Sequence, residues 1–195
     1  EKFIGRALRS ILDQSIDKKK YEVILINDFS IDNSKQIIKK YESEIVYIEN
    51  DQNKGLPYSL NIGIKKAKGK YMVRLDSDDY VNRKYLETLY EFLNWNENFD
   101  AVSCDYLIID DNENIIKREN SSENPIGCGI MFKMDKLLDI GLYNPEFLLH
   151  EDKELMRRFI KKNTVYNIKL PLYRYRKHSS NITNNLKKSN KYIKK

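Results

Sequence analysis

Apolar positions recur on one helical face near the start of the chain, where Ile4, Ala7, Leu8, Ile11 and Leu12 predict a helix. The unbroken run Val23, Ile24, Leu25, Ile26 then predicts a buried strand, because a strand covered on both faces shows no polar alternation. A second helical stretch holds Ile37, Ile38 and Tyr41, and a strand is predicted over 45–48. Pro57 is suited to open the next helix, which buries Leu60, Ile64 and Ala67 and ends at Gly69. A strand over 71–75, a helix carrying Tyr85, Leu86, Leu89, Phe92 and Leu93, and a strand over 101–109 running into a polar turn at 110–114 complete the regular part.

Helix and strand alternate throughout this stretch, which predicts an α/β fold with a mostly parallel central sheet flanked by helices and right-handed crossovers. Beyond Ser121 the pattern loosens into Gly127 and Gly129 around the short apolar piece 130–132. A helix over 152–162 and two short strands reaching Arg176 follow, and no internal repeat is visible.

Composition narrows the class. With 195 residues and 41 % hydrophobic content the chain can pack one core without disulfide staples or a metal. We divide it into a domain over 1–183 and a basic polar tail over 184–195. Apolar runs fall far short of the roughly 18 residues a membrane span needs, and no secretory leader is apparent. Both patterns predict a cytoplasmic chain. Cys104 and Cys128 lack CxxC spacing, which predicts buried thiols rather than zinc ligands or a disulfide. The net charge of +6 is spread through the chain, but its end, 187–195, concentrates five lysines. That end is a solvated tail or a peripheral contact with an anionic membrane face. Nucleic acid is not expected, since no stacking motif or recognition helix accompanies the charge.

In open α/β sheets ligands bind beyond the carboxyl ends of the strands, so polar residues directly after a strand carry the most weight. Asp28 follows the strand over 23–26, and Asp76, Ser77, Asp78 and Asp79 follow the strand over 71–75. Carboxylates so crowded repel unless a cation joins them, and a D-x-D pair suits Mg2+ or Mn2+, which take oxygen ligands and share substrate phosphates. Neither a Walker-type loop nor a G-x-G-x-x-G turn is present to cradle a diphosphate with backbone amides. His150-Glu151-Asp152 opens a helix, where the acids also serve as a cap and complement the helix dipole. Arg176 and His178 end an alternating basic and aromatic stretch with one face suited to an anion, and Asn53 lies with Gly55 before the third helix.

Read in order, Ser10-Ile11-Leu12-Asp13-Gln14-Ser15, Glu22-Val23-Ile24-Leu25-Ile26-Asn27-Asp28-Phe29-Ser30-Ile31-Asp32, Asn53-Lys54-Gly55, Leu75-Asp76-Ser77-Asp78-Asp79 and Glu151-Asp152 resemble the motif series of family 2 glycosyltransferases. The resemblance runs from Phe3 to about Thr183. It implies a glycosyltransferase-A fold, a nucleotide-diphospho-sugar donor with UDP the commonest nucleotide, and inversion at the anomeric carbon. Asp28 then matches the acid that contacts the base, with Asn53 nearby. Asp76 and Asp78 match the acids that meet the ribose and the metal-diphosphate, and Asp79 stands where some members place a metal ligand. Asp152 matches the catalytic base, Glu151 supports the acceptor side, and His178 matches a histidine after the last strand that engages the diphosphate or metal, with Arg176 beside it as a further candidate for binding the donor.

Members usually begin with an apolar strand, whereas this sequence starts in the following helix, which implies a truncated first strand. Ser59-Leu60-Asn61 stands where many members have Ala-Arg-Asn, and Asn27-Asp28 where many have two acids, so the nucleotide stays open. The acceptor class is a glycan or lipid-linked hydroxyl. Two other classes share parts of this pattern. A non-catalytic nucleotide-sugar or polysaccharide-binding module would keep the fold and dispense with Asp152. A haloacid-dehalogenase-like phosphatase would need threonine or valine two residues after its second acid, where this chain has Asp79-Tyr80 after Asp78.

Overall fold

The computed structural model describes residues 1–179 and 181, so the basic tail over 184–195 lies outside the described residues. Helix α1 (Ile4–Leu12), strand β1 (Ile24–Asn27), helix α2 (Ser34–Ile38), strand β2 (Val46–Glu49) and helix α3 (Leu56–Lys66) form the first part. Strands β3 (Tyr71–Val73) and β4 (Tyr80–Val81) and helix α4 (Tyr85–Trp95) follow. The second half holds β5 (Ala101–Ile109), β6 (Ile115–Glu119), β7 (Ile130–Lys133), α5 (Met134–Asp139), α6 (Glu151–Phe159) and β8 (Val165–Arg176).

β1 and β2 pair in parallel, with Ile24 opposite Val46 and Asn27 opposite Glu49. The larger sheet has the order β3-β7-β5-β8-β4, and β6 joins β5 as an antiparallel hairpin. The α/β class holds, but the sheet is mixed rather than mostly parallel. β3, β5 and β8 share one direction, while β7 lies between β3 and β5 and runs against both. β7 returns from the β5–β6 hairpin through the loop at 120–129 with no crossover helix, so it enters antiparallel. Among the described residues β1 and β3 have one strand neighbour each, and the two sheets meet by side-chain packing, with Val23, Leu25, Tyr71 and Val73 against one core.

Instead of two short strands, 165–176 forms one strand of 12 residues. Pro171 is tolerated because the register with β5 slips on either side of Asp105, which faces it, so the missing amide interrupts no regular ladder. Elsewhere the apolar pattern does what it predicts. α1 buries Ala7, Leu8, Ile11 and Leu12, and α4 buries Tyr85, Leu86, Leu89 and Leu93 against Val102, Cys104 and Tyr173. Each such side chain contributes roughly 1.5–3 kcal/mol on burial. Both cysteines are free and buried.

Several polar clasps fix the loops around this core. Gln14, just past α1, donates from Nε2 to the carbonyls of Ser10 and Asn82 and accepts the Leu86 amide on Oε1, satisfying a first-turn donor of α4. Asn61 of α3 pairs with the backbone of Tyr143 through Nδ2 to the carbonyl at 2.8 Å and through Oδ1 from the amide at 3.0 Å. Arg158 of α6 donates to the carbonyls of Ile140, Gly141 and Leu142 while pairing with Glu154. No helix among the described residues is long and apolar enough to cross a membrane.

Candidate active site

Asp28 stands immediately after β1. Its Oδ1 accepts from Asn50 Nδ2 at 2.7 Å and from the Lys54 amide at 2.8 Å, and its Oδ2 accepts from the Gly55 amide at 2.8 Å. Burial pushes this carboxyl up, yet the amides and the Asn50 and Ser59 side chains outweigh it and hold the group below its ordinary value. Asp28 thus fixes the turn into α3. Gly55 must be glycine there, with φ 87 and Leu148 Cδ2 only 3.2 Å from where a Cβ would stand. Asn53 is exposed in the same turn. Next to Asp28, Phe29 holds φ 63 with its side chain 49 % exposed, an uncommon conformation for a bulky residue.

The acids after β3 have three different fates. Asp76 is gripped by Arg74, which donates from Nε to Oδ1 at 2.7 Å and from Nη2 to Oδ2 at 3.0 Å. Asp78 Oδ2 lies 2.9 Å from His178 Nε2, and Asn181 Nδ2 donates to the same oxygen at 3.3 Å. Asp79 is buried at 2 % exposure, with Oδ2 accepting from the Tyr173 hydroxyl and Oδ1 from the Arg176 amide, each at 2.7 Å. Burial, together with the charges of Asp76 and Asp78, holds the Asp79 carboxyl well above the usual range.

Two of the candidate ligands are engaged within the protein. Asp79 straps β4 to β8, with both of its oxygens accepting from protein donors in a buried setting. The Arg176 side chain is 2 % exposed and fully engaged. Nε donates to the Asp78 carbonyl, Nη1 to the carbonyls of Asp110 and Asp111, and Nη2 to Glu113, while the guanidinium lies 4.5 Å from the Phe3 ring centroid. It ties the end of β8 to the β5–β6 turn.

On the opposite side, Glu151 opens α6 and receives Arg74 Nη1 on Oε1 at 2.9 Å, with side-chain exposures of 9 % for the acid and 7 % for the arginine. Glu151 is thus the buried ion-pair partner of Arg74. Asp152, one residue on, is half-buried and accepts the Lys153 amide. The N-cap of α6 is His150, at φ 64, so Asp152 is not the cap. Gly127 fills the junction, since a Cβ there would stand 2.8 Å from Asp152 Cβ and 2.9 Å from Arg74 Nη1.

Arg74 thus links Asp76 to Glu151, the neighbour of Asp152, while Asp78, two residues after Asp76, meets His178, and Gly55, which donates to Asp28, lies against Leu148. Arg74 was not foreseen. A charged residue inside the apolar stretch 71–75 was the available signal, since a buried cation requires anionic partners. As a seat for a divalent ion, Asp78 and His178 fit. Their 2.9 Å separation matches the roughly 3 Å edge between adjacent ligands around a small octahedral ion, and one carboxylate with one imidazole leaves positions for phosphate and water. The ligand atoms of Asp76, Asp79 and Cys128 also approach within 4.8 Å of one another. That group does not fit, since Arg74 holds Asp76, Asp79 is engaged, and burial pushes the Cys128 thiol well up. A phosphatase would need Asp76 free as a nucleophile, and its bidentate clamp removes that alternative.

Asp28 and the acids at 76–79 lie beyond the carboxyl ends of β1 and β3, the place where ligands bind in open α/β sheets. The chain belongs to glycosyl transferase family 2, whose model matches residues 1–180. An uncharacterised glycosyltransferase of Haemophilus influenzae is 34 % identical over 155 residues, covering 78 % of this chain and 42 % of the relative. The poly(ribitol-phosphate) beta-N-acetylglucosaminyltransferase TarS of Staphylococcus aureus is 32 % identical over 112 residues, 56 % of this chain and 18 % of TarS. The chain therefore spans less than half the length of these relatives. Residues 1–349 of S. aureus TarS in complex with UDP-GlcNAc superpose with TM-score 0.79 at 21 % identity, covering 93 % of this chain and 56 % of that one. A mannosyltransferase of Pyrobaculum calidifontis with GDP-Man and Mn2+ gives TM-score 0.70 at 16 % identity, with coverage of 88 % and 52 %. The fold is of the glycosyltransferase-A type.

Proposed function

We propose that the protein is a metal-dependent, inverting glycosyltransferase that moves a sugar from a nucleotide-diphospho-sugar to a hydroxyl of a glycan or lipid-linked acceptor in bacterial-type surface polysaccharide synthesis. UDP-GlcNAc, the ligand of the TarS complex, is the first donor to test. The observation that carries the reading is the approach of His178 to Asp78, 100 positions apart, in the crevice that also holds Asp152. A cytoplasmic setting, with the basic tail at 184–195 against the inner membrane face, belongs to the same proposal.

In this reading Asp28 and Asn53 face the nucleotide base, and Asp76 faces the ribose. Asp78 and His178 hold Mn2+ or Mg2+, which when bound stabilises the charge that develops on the leaving diphosphate. Asp152 accepts the proton of the attacking hydroxyl. One base and one displacement suffice, so the anomeric centre inverts without a glycosyl-enzyme intermediate.

Thermal shift with UDP in Mn2+ and in a chelator tests the metal claim, since a ligand that prefers the folded state stabilises it by mass action. UDP should raise Tm much more with Mn2+, and Asp78→Ala should remove the difference. Equal shifts in both conditions sink the assignment.

A further inference from the structure

We propose that Arg74 is a positioning residue for the transfer. Its guanidinium locks the donor-side acid Asp76 to the helix start that presents Asp152, so both halves of the reaction are registered against one buried cation. The inference rests on the glycosyltransferase reading and assigns a role to a side chain that touches neither reactant.

The geometry is specific. Two nitrogens of Arg74 grip both oxygens of Asp76, and the third reaches Glu151 from across the crevice. Burial works against the arginine's charge, and Asp76 outweighs it, so the guanidinium is held firmly ionised. Only a planar fork with several donors can serve two carboxylates at once, because an ammonium on a flexible stem meets them as a single point charge. Gly127 leaves the room: a side chain there would meet Arg74 Nη1 and Asp152 Cβ together. The base and the guanidinium therefore press on the same small space from two sides.

Without the cation, Asp76 and Glu151 would face each other as unpaired carboxylates. The helix start would retreat and carry Asp152 with it, although Asp152 is tied to Arg74 only through its neighbour Glu151. A group that only stabilised the fold would lower activity in step with Tm. A positioning group lowers kcat at a given stability by more than it raises donor KM: Arg74 also steadies the ribose-facing Asp76, but the Asp78–His178 pair is joined without it.

The test uses the full chain with UDP-GlcNAc and Mn2+, following UDP release and Tm for wild type, Arg74→Lys, Arg74→Met, Glu151→Gln and the Arg74→Met/Glu151→Gln pair. Arg74→Lys should lower kcat about 30-fold or more with donor KM within about threefold. The pair, which leaves one fewer unpaired charge than Arg74→Met, should regain Tm while kcat stays low. It also keeps the test alive if a single variant does not fold. The inference is overturned if Arg74→Lys keeps kcat within about threefold of wild type, if the loss falls on donor KM, or if kcat recovers with Tm in the pair. A wild type that releases no UDP and binds none with Mn2+ overturns the underlying reading and the inference together, an outcome distinct from an active wild type with indifferent Arg74 variants.

Discussion

Replacing Gly127 with alanine puts a methyl group at the contact between the two sides of the crevice. The new Cβ would stand 2.8 Å from Asp152 Cβ, 2.9 Å from Arg74 Nη1 and 3.3 Å from Asp152 Cγ. Neither neighbour can swing away, since Asp152 Cβ is bonded directly to the α6 backbone and Nη1 is held by Glu151. Reaching ordinary contact at 3.4 Å requires the start of α6 to retreat by about 0.6 Å. Overpacking of this kind costs about 1–3 kcal/mol, a Tm loss of several degrees in a chain of this size. A misplacement of about 1 Å lowers a reaction on the order of 100-fold, so transfer should fall roughly 10- to 100-fold with metal-dependent UDP binding kept. The comparator is Gly141→Ala, at φ 76 with Arg158 Nη1 3.7 Å away, which strains the backbone by about 1–2 kcal/mol without touching the crevice. Differential scanning fluorimetry and UDP release read both variants. If Gly127→Ala and Gly141→Ala lose the same small amount of activity at matched Tm, the argument that Gly127 sets the place of Asp152 is wrong.

Asp152→Asn should bind UDP with Mn2+ within a few-fold of wild type and lose roughly 100-fold or more in transfer, and near-normal transfer removes the base assignment. Arg176→Met should cost about 1–3 kcal/mol in urea unfolding, because it removes buried donors to the Asp78, Asp110 and Asp111 carbonyls while Glu113 keeps Arg6, and a variant that unfolds like wild type but loses UDP binding would support an anion-binding role. Asp28→Asn should cost about 1–3 kcal/mol at pH 7 by setting an amide group against the Lys54 and Gly55 N–H donors. The folded Asp28 carboxyl is held below its ordinary value, so its contribution is present above the unfolded pKa of roughly 4 and is lost as pH falls through the lower folded value. The stability gap between wild type and Asp28→Asn should therefore narrow in acid, and a gap that widens below pH 4 contradicts the clasp.

Elements with a strong apolar period were legible from the chain alone, α1 and α4 above all, since a helix must turn that face to the core. β6 and α5 were missed: Ile115 and Ile116 lie exposed on a hairpin, and 134–139 buries only Leu137. The strand β7 appeared only as an apolar piece, because nothing local says that it runs against its neighbours. At the site, the position of Asp76 and Asp78 after a strand was readable from pattern. Their division of labour was not, because it depends on partners as distant as His178 and Glu151. Arg176 looked like an anion ligand for the same reason, since the 110–113 turn that engages it is unrelated in sequence.

The clasps on either side of 144–149 bear on how such a protein can change over time. Arg158 holds the carbonyls of 140–142, Asn61 pairs with Tyr143, and α6 begins at Glu151 behind a left-handed His150. The near end of the segment is pinned by side chains that belong to α3 and α6, and its far end runs directly into α6. Doubling the length of a loop between fixed ends costs only about 0.6 kcal/mol, so this stretch can lengthen or be rewritten without disturbing either anchor. Descendants of the chain can reshape the surface beside Asp152 here, while the carboxylate itself stays registered to the sheet.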